Sequence, residues 1–241
     1  VLGRVAARTA GVPCALFTEH SDVTQRSRFD RAIERSLLDW TDRKIAVSEA
    51  QREASIRLEG YEPARVLTVE NSIDASAFAP APFVRSEVRR ELGLADEHVV
   101  IGNVANHTDQ KRIDRLIERF ARVAHDRPHA RMLLVGDGPL HADLRRQATA
   151  LGVDDRVAFL GRRLDVARLL QAMDVFAITS RWEGMPINLL EAMGAIPPPQ
   201  VRGGYLEFPQ GNGQRGGGAV QIVAAEQVVS VRVVRVRLDE L

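Results

Sequence analysis

Apolar positions in the first 74 residues switch between two rhythms. Arg4–Ala10 has helical spacing and stops at Gly11, while Pro13–Phe17 predicts a short buried strand running into Thr18, Glu19 and His20. Phe29, Ala32, Ile33, Leu37 and Trp40 predict one apolar helix face. Lys44–Val47 predicts a strand, and Ser48 is placed to cap the helix that follows. Val66–Val69 predicts a third strand, ahead of Glu70-Asn71-Ser72-Ile73-Asp74. The next stretch, Ala75–Phe83, is rich in Ala and Pro and has no period, as expected of an interdomain connection.

Beyond it the pattern is cleaner. Ser86–Leu92 predicts a helix closed by Gly93, and Val99–Val104 a buried strand. Ile113, Leu116, Ile117, Phe120 and Val123 form a helical stripe. Strands follow at Met132–Val135, Val157–Leu160 and Val175–Thr179. Helices are expected from Pro139 to Leu151, over Val166–Met173, and from Pro186 to Met193. Strands alternating with helices through short loops predict an α/β fold, a parallel sheet with helices on both faces. Such sheets bind ligands beyond the carboxyl ends of their strands. The rhythm stops near Gly194. The tail from Ala195 to Leu241 holds Pro197-Pro198-Pro199 and Gly216-Gly217-Gly218, and its Val231–Leu238 stretch nearly alternates Val with Arg.

Composition then narrows the classes. The chain has 241 residues, 45% of them hydrophobic and 27% charged, which excludes a disordered tail or a disulfide scaffold. Lys+Arg number 33 and Asp+Glu 32, so the basic excess of a nucleic-acid binder is missing. Cys14 has no second cysteine to pair with. No run approaches the roughly 20 apolar residues that span a bilayer. Only Lys44 and Lys111 are lysines among the basic residues, so each stands out against an arginine bias.

The most specific chemistry lies in Glu183-Gly184-Met185-Pro186-Ile187-Asn188-Leu189-Leu190-Glu191, followed by Ala192-Met193. Glu183 falls in the loop after a strand, and Glu191 on the helix beyond. A helix start offers unpaired N–H groups and a positive dipole end, which suit a phosphate. A carboxylate on either side suits sugar hydroxyls. From spacing alone, a surface helix with ordinary glutamates fits as well.

This element resembles the Glu-x7-Glu signature of the retaining glycosyltransferases of the GT-B fold, family four, also called glycosyl transferases group 1. Val135-Gly136-Asp137-Gly138-Pro139, Val157-Ala158-Phe159-Leu160-Gly161, Val69-Glu70-Asn71-Ser72-Ile73-Asp74 and Ile45-Ala46-Val47-Ser48-Glu49-Ala50 resemble further family motifs in the same order. The likeness runs from Val1 to Met193. It implies two Rossmann-like domains facing a cleft. Residues 1–82 would be part of the acceptor-side domain with its linker, and 83–194 part of the nucleotide-sugar-binding domain. Residues 195–241 form an atypical tail, read as frame-shifted, divergent or disordered. A full member would have roughly 350–400 residues, so both domains are expected to be incomplete.

The resemblance implies transfer of a sugar from a nucleoside-diphosphate sugar to an acceptor hydroxyl, with retention and without a metal or other cofactor. The departing diphosphate would help take the acceptor proton. Lys111 matches the family's diphosphate-binding lysine, and Asn106 stands where the family has an arginine, leaving His107 or Arg112 to compensate or the diphosphate to be held less tightly. Lys111 and Pro186 would lie against the diphosphate, with Gly138, Gly184 and Met185 around the donor. Glu183 would orient the sugar, Glu191 hold the ribose, and His20 approach from the other domain. The acceptor, a glycan, lipid or small molecule, is open. A cytoplasmic location is expected, with peripheral membrane contact open, through Arg26, Arg28, Arg31 and Arg35 or otherwise. In a competing reading the chain is a non-catalytic fragment that at most binds a nucleotide sugar.

Overall fold

The computed structural model describes residues 2–20, 22–196, 221–223 and 234–235. They divide into two compact units. One combines the chain up to Ser72 with Trp182–Ile187, and the other Ile73–Arg181 with the chain from Asn188 onward.

The first unit is a three-stranded parallel sheet in the order β1-β2-β3. Its elements are α1 (Leu2–Thr9), β1 (Leu16–Glu19), α2 (Arg28–Ser36), β2 (Arg43–Ala46), α3 (Glu49–Ala54) and β3 (Val66–Thr68). Ser48 caps α3 by accepting from the Gln51 N–H, as expected, and Ser27 with Asp30 forms a capping box on α2. β1 begins later than the sequence suggests and places Glu19 in the strand with His20 immediately after it. The expected face of Phe29 to Trp40 does not form. The helix ends at Ser36, Phe29 is 74% exposed, and the residue that α2 buries is Glu34.

That reversal has a physical cause. The apolar cluster of this unit is small: Ala46, Tyr61 and Val66, with Leu38 and Ile56 packed on it. Beside it lies a buried set of three cations and three carboxylates. Arg4 grips Glu34 with both guanidinium nitrogens at 2.7 and 2.6 Å, and Tyr61 donates to the same carboxylate at 2.7 Å. Arg26 reaches Glu19, Glu59 and Glu34, and Lys44 pairs with Glu59. The Lys44 ammonium also stands 4.8 Å from the Tyr61 ring centre. Lys44 and Glu59 are both fully buried, which pairing within this set of charges makes tolerable.

The second unit is built on β4 (Val99–Val104), β5 (Ala130–Val135), β6 (Val157–Gly161) and β7 (Val175–Ile178), with α4 (Pro82–Glu91), α5 (Ile113–Asp126), α6 (His141–Ala150), α7 (Val166–Leu170) and α8 (Ile187–Ala195). The period-two alternation sorts its strands. Val100, Leu133, Val135, Phe176 and Ile178 face one apolar cluster with residues of α4, α7 and α8. Ile101, Met132, Leu134 and Ala177 face another with α5 and α6. The sheet order is β6-β5-β4-β7, with the four strands parallel. This is an α/β fold with helices on both faces, as the pattern predicts.

The stretch Ala75–Phe83 is more ordered than its composition suggests. Asp74 caps a 3-10 turn over Ala75–Phe78, Pro82 starts α4, and Gln171 bonds the backbone of both Ala79 and Ala81. It groups with the second unit. Within the tail, β8 (Gln221–Val223) pairs antiparallel with β7, and β9 (Val234–Arg235) with β8. The other expectations about the tail, the proline run, the glycine runs and a disordered or frame-shifted segment, lie outside the described residues.

Candidate functional site

Strand order marks a candidate site in the second unit. The chain runs from β4 outward through β5 to β6, then crosses back to place β7 on the other side of β4. The carboxyl ends of β4 and β7 therefore flank a topological switch point, where open α/β sheets leave a ligand crevice. The loop 105–112 leaves β4 there, and the chain after β7 passes through Thr179 and Arg181.

These segments are stitched together by hydrogen bonds. The Thr179 hydroxyl donates to the Lys111 and Arg112 carbonyls at 3.0 and 2.8 Å. The Arg181 N–H donates to the Gln110 carbonyl at 2.8 Å. Asn188, in the first turn of α8, donates to the Val104 carbonyl at 2.6 Å. Lys111 closes a 3-10 turn just before α5 and is half-buried. Arg112 follows with φ 49° and ψ 41°, the only non-glycine residue with positive φ among the described residues. A left-handed arginine costs about 1–2 kcal/mol. Its guanidinium is clamped on both Asp114 oxygens, at 3.0 and 2.9 Å, which helps to hold it. Spent in that way, Arg112 does not replace the charge that Asn106 lacks.

His107 does not replace it either. Its ring is fully buried, with Nδ1 3.1 Å from Nδ1 of His141, and the two rings stack 5.0 Å apart. Burial, then the neighbouring His141, pushes the His107 pKa down, so the ring stays neutral. Asn106 is exposed, and its carbonyl accepts from Thr108.

Gly138 joins this loop to the next. A Cβ there would lie 2.7 Å from the His107 carbonyl oxygen and 2.8 Å from its nitrogen, so glycine is required for the two backbones to touch. The His107 N–H donates to Asp137 and the Leu140 N–H to His107, at 2.9 and 3.1 Å. Glu191 is half-buried on α8, and burial raises its pKa. Asn106, Lys111, Gly138 and Glu191 all belong to the second unit.

The other candidates lie in the first unit. His20 is exposed at the end of β1, and its carbonyl oxygen would lie 2.6 Å from a Cβ on Gly184. The Gln51 amide nitrogen would lie 2.7 Å from the same Cβ. Asn71 donates to the Met185 carbonyl at 2.8 Å. Glu183, Gly184, Met185 and Pro186 therefore sit with His20, far from it in sequence, and the Glu-x7-Glu element is shared between the units.

Thr179, Asn188, Asn71 and Gln51 were not visible as site residues from the sequence. Thr179 ends a predicted strand and Asn188 lies inside the signature, and those positions were the available signals. Of the four arginines considered for a membrane face, Arg26 is turned into the ionic core, and Arg31 and Arg35 bond the Thr24 and Leu58 carbonyls. Arg28 is exposed. Among the described residues no helix is long and apolar enough to cross a membrane, and no three His, Cys, Asp or Glu side chains group as a metal site.

Comparison with known proteins gives two adjoining family matches: Glycosyltransferase Family 4 over residues 1–77 and Glycosyl transferases group 1 over residues 84–198. The chain is 31% identical, over 80% of its length and 52% of the relative's, to UDP-Gal:alpha-D-GlcNAc-diphosphoundecaprenol alpha-1,3-galactosyltransferase of Escherichia coli. It is 25% identical to the lipopolysaccharide core biosynthesis mannosyltransferase LpsB of Rhizobium meliloti, over 90% of its length and 63% of the relative's. Among solved structures, Anabaena HepE in complex with UDP and glucose superposes with a TM-score of 0.73 at 26% identity, over 81% of this chain and 55% of that one. The chain spans about half the length of several of the curated relatives it matches.

Proposed function

The chain belongs to the group 1 glycosyltransferases of GT-B architecture, and on that premise we propose that its second unit holds a nucleoside-diphosphate sugar for transfer to an acceptor hydroxyl. The observation that carries this reading is the set of hydrogen bonds that joins the loops at the β4/β7 switch point. Thr179, Arg181 and Asn188 tie the loop bearing Lys111 to the chain leading into α8 and Glu191.

In this reading Lys111 and the first N–H groups of α8 offset the charge that builds on the departing diphosphate. Glu191 accepts from the ribose, and Glu183 orients the sugar. Both roles fit carboxylates that receive hydrogen bonds rather than move protons. His20 faces the reacting sugar, and the diphosphate itself takes the acceptor proton, so the chemistry rests on positioning. Retention and independence of metal are parts of the same proposal. The solved relative with UDP and glucose makes uridine diphosphate sugars the first donors to test. The Escherichia coli relative, named for a lipid-diphosphate-linked sugar, makes such a glycolipid the first acceptor.

The test incubates the chain with UDP-hexoses and a polyprenyl-diphosphate-linked sugar, with and without EDTA. Sugar transfer unaffected by EDTA, with the donor's anomeric configuration kept in the product by NMR, is expected. An inverted product, or transfer abolished by EDTA and restored by a divalent cation, contradicts it. The fragment reading predicts binding of the nucleotide sugar with no release of nucleoside diphosphate above the uncatalysed rate.

A further inference from the structure

The segment Trp182–Ile187 is flanked by residues of the second unit yet packs with the first. Two close contacts mark this packing. The Asn71 side-chain amide donates to the Met185 carbonyl at 2.8 Å. Gly184 presses its backbone against the His20 carbonyl and the Gln51 amide so closely that a methyl group there would overlap both. Gln51 is itself held. It is 5% exposed, its side-chain oxygen accepts from the Val47 N–H at 3.3 Å, and its own N–H donates to Ser48. Asn71 belongs to the Glu70-Asn71-Ser72-Ile73-Asp74 stretch, to which the function above assigns no task.

We propose that Asn71 and Gln51 are positioning residues that lock the Trp182–Pro186 loop, and so fix the Glu183 carboxylate for the donor sugar. The proposal rests on the donor-binding reading above for what the loop acts on, but not for the lock itself. Asn71 supplies a directed N–H that no carboxylate supplies. The His20 carbonyl is the backbone wall against which only glycine fits, and the buried Gln51 amide closes in beside it. The lock acts on the sugar end of the donor.

The chain has two tryptophans, Trp40 and Trp182, so Trp40→Phe leaves Trp182 as a reporter inside the loop. In that background Asn71→Asp keeps the side-chain shape but removes the donor. The expected result is red-shifted Trp182 emission and tryptic cleavage after Arg181 at least fivefold faster, with the urea midpoint unchanged. Gly184→Ala should give the same loop signature, and Asn71→Gln should restore part of it. In Asn71→Asp, affinity for UDP should stay within twofold while affinity for UDP-glucose falls at least fivefold, a split that a general loss of structure does not produce. Parent-like emission and cleavage in both Asn71→Asp and Gly184→Ala overturn the lock. UDP and UDP-glucose weakening together would overturn the sugar-specific role. If the unsubstituted chain binds no nucleotide, the donor reading fails, and the emission and cleavage results still decide the lock.

Discussion

Lys44 and Lys111 are the only lysines of the chain, and they lie in opposite environments. Lys111 was legible because it follows a predicted strand at a spacing that resembles a known diphosphate site. Lys44 was not. It sits in a strand that reads as buried with or without a charge, and its partner Glu59 lies 15 residues away beyond a helix. Glu34 was hidden for the same reason, since an apolar face was expected where α2 in fact buries a carboxylate. Removing one member of a buried ion pair costs about 3–5 kcal/mol, because the other charge is left uncompensated. Lys44→Met is therefore expected to lower unfolding free energy by about that amount, and Lys44→Met with Glu59→Leu to recover most of it. Urea unfolding followed by tryptophan fluorescence measures both. A single substitution as stable as the parent contradicts the ionic core.

At the scale of elements, the sequence predicted the strands and helices of the second unit to within a few residues because period two and period 3.6 are both clean there. It missed the joints. Nothing in the pattern shows that the loops after β4 and β5 meet through His107, Gly138 and His141, because hydrogen bonds between loops have no period. These joints carry a pH signature. His107 is held neutral by burial and by His141, so the unfolded chain takes up a proton that the folded loop refuses. Stability of the second unit should then fall as pH drops below the unfolded value of about 6.5. Glu34 behaves likewise in a lower window. Burial opposes its ionisation, but hydrogen bonds from Arg4 and Tyr61 prevail and hold its pKa at about 2. Its contribution is present above the unfolded value of about 4.3 and is lost as pH falls from there towards 2. Denaturant unfolding between pH 8 and 3, read by circular dichroism, should show both losses. His107→Gln should flatten the first window only. An unchanged slope between pH 7 and 5.5 in that variant contradicts the role given to the histidine pair.

At the scale of the whole chain, the two units use different means of staying folded. The second has an apolar cluster on each face of its sheet, and the first depends on six paired charges around a small apolar centre. Alternating strands and helices implied the α/β architecture, and the order of motifs carried the family resemblance. What the sequence did not show is that the Glu183 loop packs with the first unit, where Asn71 donates to the Met185 carbonyl, while Glu191 stays with the second. The central claim is that the β4/β7 crevice binds a nucleoside diphosphate through Lys111, with Glu191 on the ribose. Calorimetric titration of UDP into the chain, into Lys111→Ala and into Glu191→Ala tests it directly. The account predicts saturable one-to-one binding by the parent and affinity at least about tenfold weaker in each variant, about 1.4 kcal/mol. Equal affinity in all three folded proteins, or no binding of UDP or GDP by the folded parent, would contradict it.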